Sequence, residues 1–125
     1  MLEPIMQNYL SSIVITFIAL LHVYILVLEM FLWDKPAGRR AFGHSAEVAA
    51  ISKVLAANQG LYNGFLAAGL FWGVYLGAAG FDVKVFFLGC VFIAGIFGGL
   101  TAKRKILFIQ ATPALIGLTL LLYGV

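Results

Sequence analysis

The polar side chains of the segment 58–63 are the first candidates for chemistry in this chain. Asn58, Gln59, Tyr62 and Asn63 place three amides and a phenol in a stretch that is otherwise apolar. An amide in such surroundings must bond to another protein group or to a ligand, because hydrocarbon offers neither donors nor acceptors. We therefore predict that these residues either line a ligand site or join neighbouring helices.

Two ionisable side chains lie in the first apolar segment. Because a helix turns by about 100° per residue, His22 and Glu29 fall within about 20° of each other on one helical stripe. An ionisable group facing lipid is costly, so we expect this stripe to face the protein interior. For His22, the alternative to a ligand role is a structural hydrogen bond. For Glu29, it is an interfacial position or pairing with Arg39 or Arg40.

Gln110 is the most notable polar group of the last apolar segment. Pro113 follows it three residues later. Proline has no amide hydrogen and frees the carbonyl of Ile109, which predicts a kink beside Gln110. The proline is explained equally well by simple tolerance in packing.

Composition identifies the class of protein that must position these groups. The chain has 125 residues, of which 63% are hydrophobic and 10% charged, with a mean hydropathy of +1.06. This predicts an integral membrane protein. The eight basic residues form no continuous basic face, which argues against nucleic acid as a partner. Cys90 is the only cysteine, and the two histidines lack metal-ligand spacing, so we predict neither a metal nor a cofactor.

The apolar pattern predicts an all-α fold with four transmembrane helices in an antiparallel bundle, forming one domain over residues 1–125. The second helix is expected to be long, beginning near Ala46 with Ser45 as its N-cap and projecting beyond the bilayer. A loop broken by proline and glycine precedes it. The first span is not expected to be a cleaved signal, since it is too long and Glu3 replaces a basic start. The predicted spans are about 11–32, 55–79, 83–100 and 106–122.

The basic residues predict the orientation. The loop between the first two spans carries four, the loop between the last two carries three, and the middle loop carries only Lys84. We therefore predict a protein of the bacterial inner membrane. Under the positive-inside rule, both of its termini lie outside the cytoplasm. Glu29, the segment 58–63 and Gln110 would then share the cytoplasmic third of the membrane. Such convergence is typical of a small-molecule site.

Small residues spaced four apart predict close helix contacts. Ala56, Gly60, Gly64 and Ala68 form a ridge that we place well around the second helix from its polar face, which carries Gln59 and Asn63. Gly95 and Gly99 supply similar positions on the third span. We therefore expect a homo-oligomer, a trimer or a dimer, in contact with membrane lipid.

Three blocks of sequence resemble a known family. Residues 21–25, 28–33 and 58–67 look like the signature blocks of a widespread family of small four-span bacterial membrane proteins of unknown function. The architecture is also similar to the microsomal glutathione transferase superfamily, which implies outside termini, a long second helix and a trimer. That superfamily's acidic and arginine-rich motif is absent, with Tyr62–Asn63 in its place. The small multidrug exporters resemble the chain in having four spans and a first-helix glutamate.

Three functions remain open from the sequence. The first is binding or transport of a small amphiphilic or anionic molecule from the cytoplasmic leaflet. The second is a membrane enzyme of microsomal-glutathione-transferase-like architecture, in which Tyr62 or Glu29 does acid or base work. No nucleophile and base stand at a useful spacing, so we assign no catalytic residue. The third is a structural oligomeric subunit. The predicted ligand-binding residues are His22, Glu29, Asn58, Gln59, Tyr62, Asn63 and Gln110.

Overall fold

A computed structural model of the protein describes residues 8–125, and all of the regular structure in that range is helical. The all-α prediction is therefore confirmed for this part of the chain, whereas Glu3 lies outside the described residues. The elements, in chain order, are α1 (Tyr9–Met30), α2 (Pro36–Phe42), α3 (Ala46–Leu76), a 3-10 turn (Gly77–Gly80), α4 (Phe81–Thr101), a π segment (Leu107–Ala111) and α5 (Thr112–Leu122).

The chain divides into two compact units. One unit is Leu20–Ala67, and the other joins the chain up to Ala19 with Ala68–Val125. Helices α1 and α3 each contribute to both units. The first unit contains most of the predicted ligand-binding residues. The second unit contains the packing of α4 against α5.

Two helical stretches among the described residues are long and apolar enough to cross a membrane. They are Tyr9–Met30 and the continuous run Ala46–Thr101, with mean hydropathies of 2.4 and 2.2 over their most apolar windows. The run Leu107–Leu122 is apolar but shorter. These two stretches therefore have the length and composition of membrane-spanning segments.

Helix α3 begins where the sequence predicts. The Ser45 hydroxyl accepts a hydrogen bond from the Val48 amide at 3.2 Å, and Glu47 places a carboxylate in the first turn. The hydroxyl caps one of the free amides at the helix N-terminus, and the carboxylate interacts favourably with the positive end of the helix dipole. At 31 residues, α3 is about 46 Å long. This length exceeds the hydrocarbon core of a bilayer, about 30 Å.

The segment between α1 and α3 differs from the predicted open loop, because it contains the short helix α2. Pro36 does not break a helix but starts one, since its fixed φ suits the first helical position and the missing amide hydrogen is not needed there. Gly43 ends α2 with a left-handed φ of 67°. Gly38 is buried, and a side chain there would strike the backbone of Leu32 and Trp33. The proline and the glycines, which were predicted to break the helix, thus form a compact connection between α1 and α3.

Helix α4 packs against the π segment through small residues. A side chain at Gly95 would collide with the backbone of Ala111, and one at Gly99 with the side chain of Leu107. The irregularity predicted beside Pro113 takes the form of the π segment, and the Thr112 hydroxyl donates to the Leu107 carbonyl at 2.9 Å. Prolines and π segments are both common causes of irregularity in a helix.

Lys84 lies in α4 rather than in a loop. Its side chain is 1% exposed, and its ammonium donates to the Gly77 carbonyl at 2.8 Å. Gly77 follows the end of α3, where a positive charge interacts favourably with the last carbonyls of the helix. A side chain at Gly73 would lie 2.7 Å from Lys84 Cγ, so the glycine makes room for the lysine. Lys84 therefore stabilises the turn and adds no exposed charge to it.

Candidate functional site

The centre of the candidate site is a buried contact between α1 and α3. The Asn63 amide donates a hydrogen bond to Glu29 Oε1 at 2.6 Å. Glu29 is 7% exposed and Asn63 is 6% exposed. The alternative pairing of Glu29 with Arg39 or Arg40 is thus not the one that forms. The contact joins two predicted site residues that are 34 positions apart in sequence.

The approach of α1 to α3 depends on Gly60. A Cβ atom at this position would lie 2.6 Å from Met30 Cγ, 3.1 Å from Glu29 Cβ and 3.3 Å from the Leu26 carbonyl oxygen. One turn further along α3, a Cβ at Gly64 would lie 2.7 Å from Leu26 Cδ1. Hydrogen at these positions lets the two backbones come close enough for the short bond from Asn63.

Two sequence-based assignments change with this geometry. The polar face and the small-residue ridge of α3 were predicted to be well separated, but Ala56, Gly60 and Asn63 are all buried. Seven residues complete almost two turns, so Ala56 and Asn63 lie within about 20° of each other. In addition, each glycine cited for oligomer contacts packs against its own chain. Oligomer formation stays a prediction that these glycines no longer support.

The remaining polar residues of the segment 58–63 point away from this contact. Asn58 is exposed, and its amide donates to the Val54 carbonyl of its own helix at 3.2 Å. Gln59 is also exposed. Tyr62 is 56% exposed, with its ring centroid 6.1 Å from that of Phe65. Asn63 is thus the member of the segment that reaches Glu29.

His22 and Gln110 differ in their placement. His22 is fully buried on α1, which agrees with the predicted inward stripe that it shares with Glu29. Gln110 is half-buried in the π segment and belongs to the other unit. Among residues 8–125, no three His, Cys, Asp or Glu side chains are grouped closely enough to hold a metal ion.

A groove with a volume of about 390 Å³ runs along α3 beside the end of α1. Its wall is largely apolar, with one ammonium and one amide, a mixture typical of sites for amphiphilic molecules. The sequence pointed to the amide, whereas Lys53 was counted only as one of the four basic residues between the first two spans. The spacing of four between lining residues of α3 could have revealed a common face. The groove is lined by Met30, Lys53, Val54, Ala57, Asn58 and Leu61.

Aromatic packing fixes the connection near the groove. The Trp33 indole donates to the Ser52 hydroxyl at 3.0 Å, and its ring centroid lies 4.7 Å from Phe42 and 4.2 Å from His44. His44 Nε2 also lies 3.2 Å from the Trp33 carbonyl oxygen. These contacts hold Asp34, the residue after Trp33, beside the first turns of α3.

Asp34 uses this placement to form an ion pair. Its carboxylate accepts a hydrogen bond from the Lys53 ammonium at 3.0 Å. This bond holds the pKa of Asp34 below its usual range. The side chains are 56% exposed for Lys53 and 30% for Asp34, so solvent weakens the attraction. A ligand can therefore displace Asp34 from Lys53 at a small cost in free energy.

Comparison with other proteins places the chain in a family. A family described as "Protein of unknown function (DUF1304)" matches residues 16–122. The chain belongs to the DUF1304 family. It is also 30% identical over 114 residues to the uncharacterized protein YpaA of Lactococcus lactis subsp. lactis (strain IL1403), covering 90% of this chain and 96% of that protein. No solved structure matches the chain.

The matched range of the DUF1304 family includes the whole candidate site. Both Glu29 and Asn63 fall within residues 16–122, as does every residue that lines the groove. The site therefore lies in the region that defines the DUF1304 family and not in an added segment. The family description supplies no activity, so a function must be argued from the site.

Proposed function

We propose that the chain is a multi-pass inner-membrane protein that binds or transports a small amphiphilic molecule at the cytoplasmic ends of α1 and α3. The supporting observation is the buried Glu29–Asn63 hydrogen bond of 2.6 Å beside an apolar groove that contains a single charged group. The groove supplies apolar surface for a chain. Lys53 and Asn58 supply polar contacts for a head group.

An arrangement of four membrane-spanning helices best accounts for the apolar side chains that the helices leave exposed. Only 28% and 22% of the most apolar windows of the two long helical stretches are buried, so most of their apolar side chains need apolar surroundings. Tyr9, Tyr75 and Tyr123 are 62%, 87% and 81% exposed. Each lies at or near a helix end, as is typical of residues at a membrane interface. We infer that α1, α3, α4 and the run Leu107–Leu122 each cross the bilayer.

The orientation gives the first testable prediction. The two segments that we place in the cytoplasm carry six exposed basic residues and the partly exposed Arg39, whereas Lys84 is buried. The exposed positive charge is therefore even more one-sided than the count from the sequence. Reporters fused after Val125 are expected to be active outside the cytoplasm, and those inserted at Lys103 inside it. Alkaline phosphatase and green fluorescent protein fusions measure this. Fluorescence from a fusion after Val125 would contradict the proposed orientation.

Ligand binding gives the second prediction. Ala57→Leu adds bulk to the groove wall without changing a polar group, and we expect it to reduce the amphiphile that co-purifies with the protein at least fivefold. Glu29→Gln is expected to reduce it as well, because it removes the ionisable carboxyl group next in sequence to Met30, which lines the groove. Mass spectrometry of small molecules and lipids released from the purified protein measures the occupancy.

Ala50→Leu is the matched control for this experiment. Ala50 is exposed on α3 and does not line the groove, so this substitution should leave occupancy unchanged. Equal occupancy in Ala57→Leu, Glu29→Gln and wild type would overturn the binding proposal. The Glu29–Asn63 bond would then serve only to hold α1 against α3, as expected for a structural subunit.

A further inference from the structure

We propose that the groove along α3 holds an anionic phospholipid of the cytoplasmic leaflet, with its phosphate on Lys53 and an acyl chain against Val54, Ala57 and Leu61. This inference rests on the proposed function and names the class of ligand. It also assigns Lys53 and Asp34 opposite effects on binding.

The polarity of the groove runs along the helix. Lys53 is the only charged residue of its lining and lies nearest the start of α3. Leu61 is eight residues further on, a distance of about 12 Å along the axis. Val54 is 74% exposed and Leu61 is 42% exposed, so both have surface left for an acyl chain. A phospholipid has this same order of charge followed by hydrocarbon.

The depth of Lys53 matches the position of a phosphate. From Val54 to the end of α3 at Leu76, the helix is about 34 Å long, close to the thickness of the hydrocarbon core. Lys53 would therefore lie at the level of the head groups. A lysine at this level attracts anionic lipid.

The charges around Lys53 favour an anion. In the unit Leu20–Ala67, the basic side chains other than Lys53 are Lys35, Arg39 and Arg40, against Asp34 and Glu47 as the acids that are not buried. Arg39 Nε is buried without a hydrogen-bond partner. The local field is therefore positive, which raises the concentration of anionic lipid near the groove.

Asp34 competes with the lipid for Lys53. The same ammonium that would bind a phosphate now donates to Asp34 at 3.0 Å. Removing the charge of Asp34 leaves Lys53 with a weaker internal partner and a stronger attraction for phosphate. Anionic lipid should therefore bind better to Asp34→Asn than to the wild-type protein.

The test uses the full chain in nanodiscs that contain equal amounts of phosphatidylglycerol and phosphatidylcholine. After extraction into detergent, native mass spectrometry measures the ratio of the two lipids that stay bound. We expect the wild type to retain mainly phosphatidylglycerol. Lys53→Gln should lower the ratio about fivefold, the effect of one lysine near an anionic surface. Lys53→Arg should preserve it, and Asp34→Asn should raise it.

Lys35→Gln is the matched control, because it removes an exposed positive charge from the same unit without touching the groove. An equal fall in Lys35→Gln and Lys53→Gln would show diffuse attraction and overturn the lipid site. An unchanged ratio in Lys53→Gln would also overturn it. If Ala57→Leu still reduces another amphiphile in that case, the proposed binding function survives without the phospholipid. If Ala57→Leu has no effect on any ligand, the binding function fails too.

Discussion

Replacing Asn63 with leucine is expected to lower the free energy of unfolding by about 2–4 kcal/mol, because the Glu29 carboxyl group stays buried and loses its amide donor. Glu29 is 7% exposed, so water cannot readily take the place of the amide. Glu29→Gln keeps the shape and one oxygen acceptor, and should change stability by less than about 1 kcal/mol. Unfolding of the purified protein in detergent, followed by circular dichroism, measures these differences.

The double variant separates a lost hydrogen bond from lost packing. Glu29→Leu combined with Asn63→Leu removes both polar partners, and it should be more stable than Asn63→Leu alone. A packing defect would instead make the double variant less stable than either single variant. That result would show that the 2.6 Å contact contributes little to holding α1 against α3.

Gly60→Leu is expected to destabilise the protein by about 3 kcal/mol or more. Its first side-chain carbon alone would lie 2.6 Å from Met30 Cγ, and the backbone oxygen of Leu26 is 3.3 Å away. A backbone atom cannot move aside as a side chain can, so α1 must separate from α3. The separation would also break the Glu29–Asn63 bond. Detergent unfolding measures the loss, and the mass in detergent reports any change in assembly.

Gly89→Leu is the control for this substitution. Gly89 lies inside α4, but a Cβ atom there would have no neighbour within 4 Å. Leucine also has a better helix propensity than glycine, by about 0.8 kcal/mol, so this variant should be as stable as the wild type or more stable. If Gly60→Leu were equally stable, the close contact of α1 with α3 would be wrong.

The sequence predicted half of the central contact. Glu29 was identified because a carboxyl group within an apolar helix needs a partner, and Asn63 because an amide does. Their pairing was not predicted, since 34 residues separate them and three other polar side chains share the same short segment. Placing Asn63 well around the helix from the small-residue ridge was wrong, because Asn63 is seven residues from Ala56 and seven residues return a helix almost to the same angle.

The groove could not be predicted from residue types. Lys53 and Val54 are ordinary residues for the start of a long helix, and only the position of Met30 at the end of α1 makes them part of a wall. The ion pair with Asp34 likewise depends on Trp33, which bonds to Ser52 and holds the connection beside α3. These contacts follow from how the chain turns between α1 and α3.

The sequence by itself determined the all-α class, the apolar character of the long helices and the start of α3 at Ala46. These depend on composition, on hydrophobic run length and on a local capping residue, and each can be read within a few turns of the chain. The tertiary structure alone decided that Asn63 pairs with Glu29, that Gly60 packs within the chain and that Lys84 is buried. Each of these depends on which helix face meets which neighbour, and spacing along one helix does not contain that information.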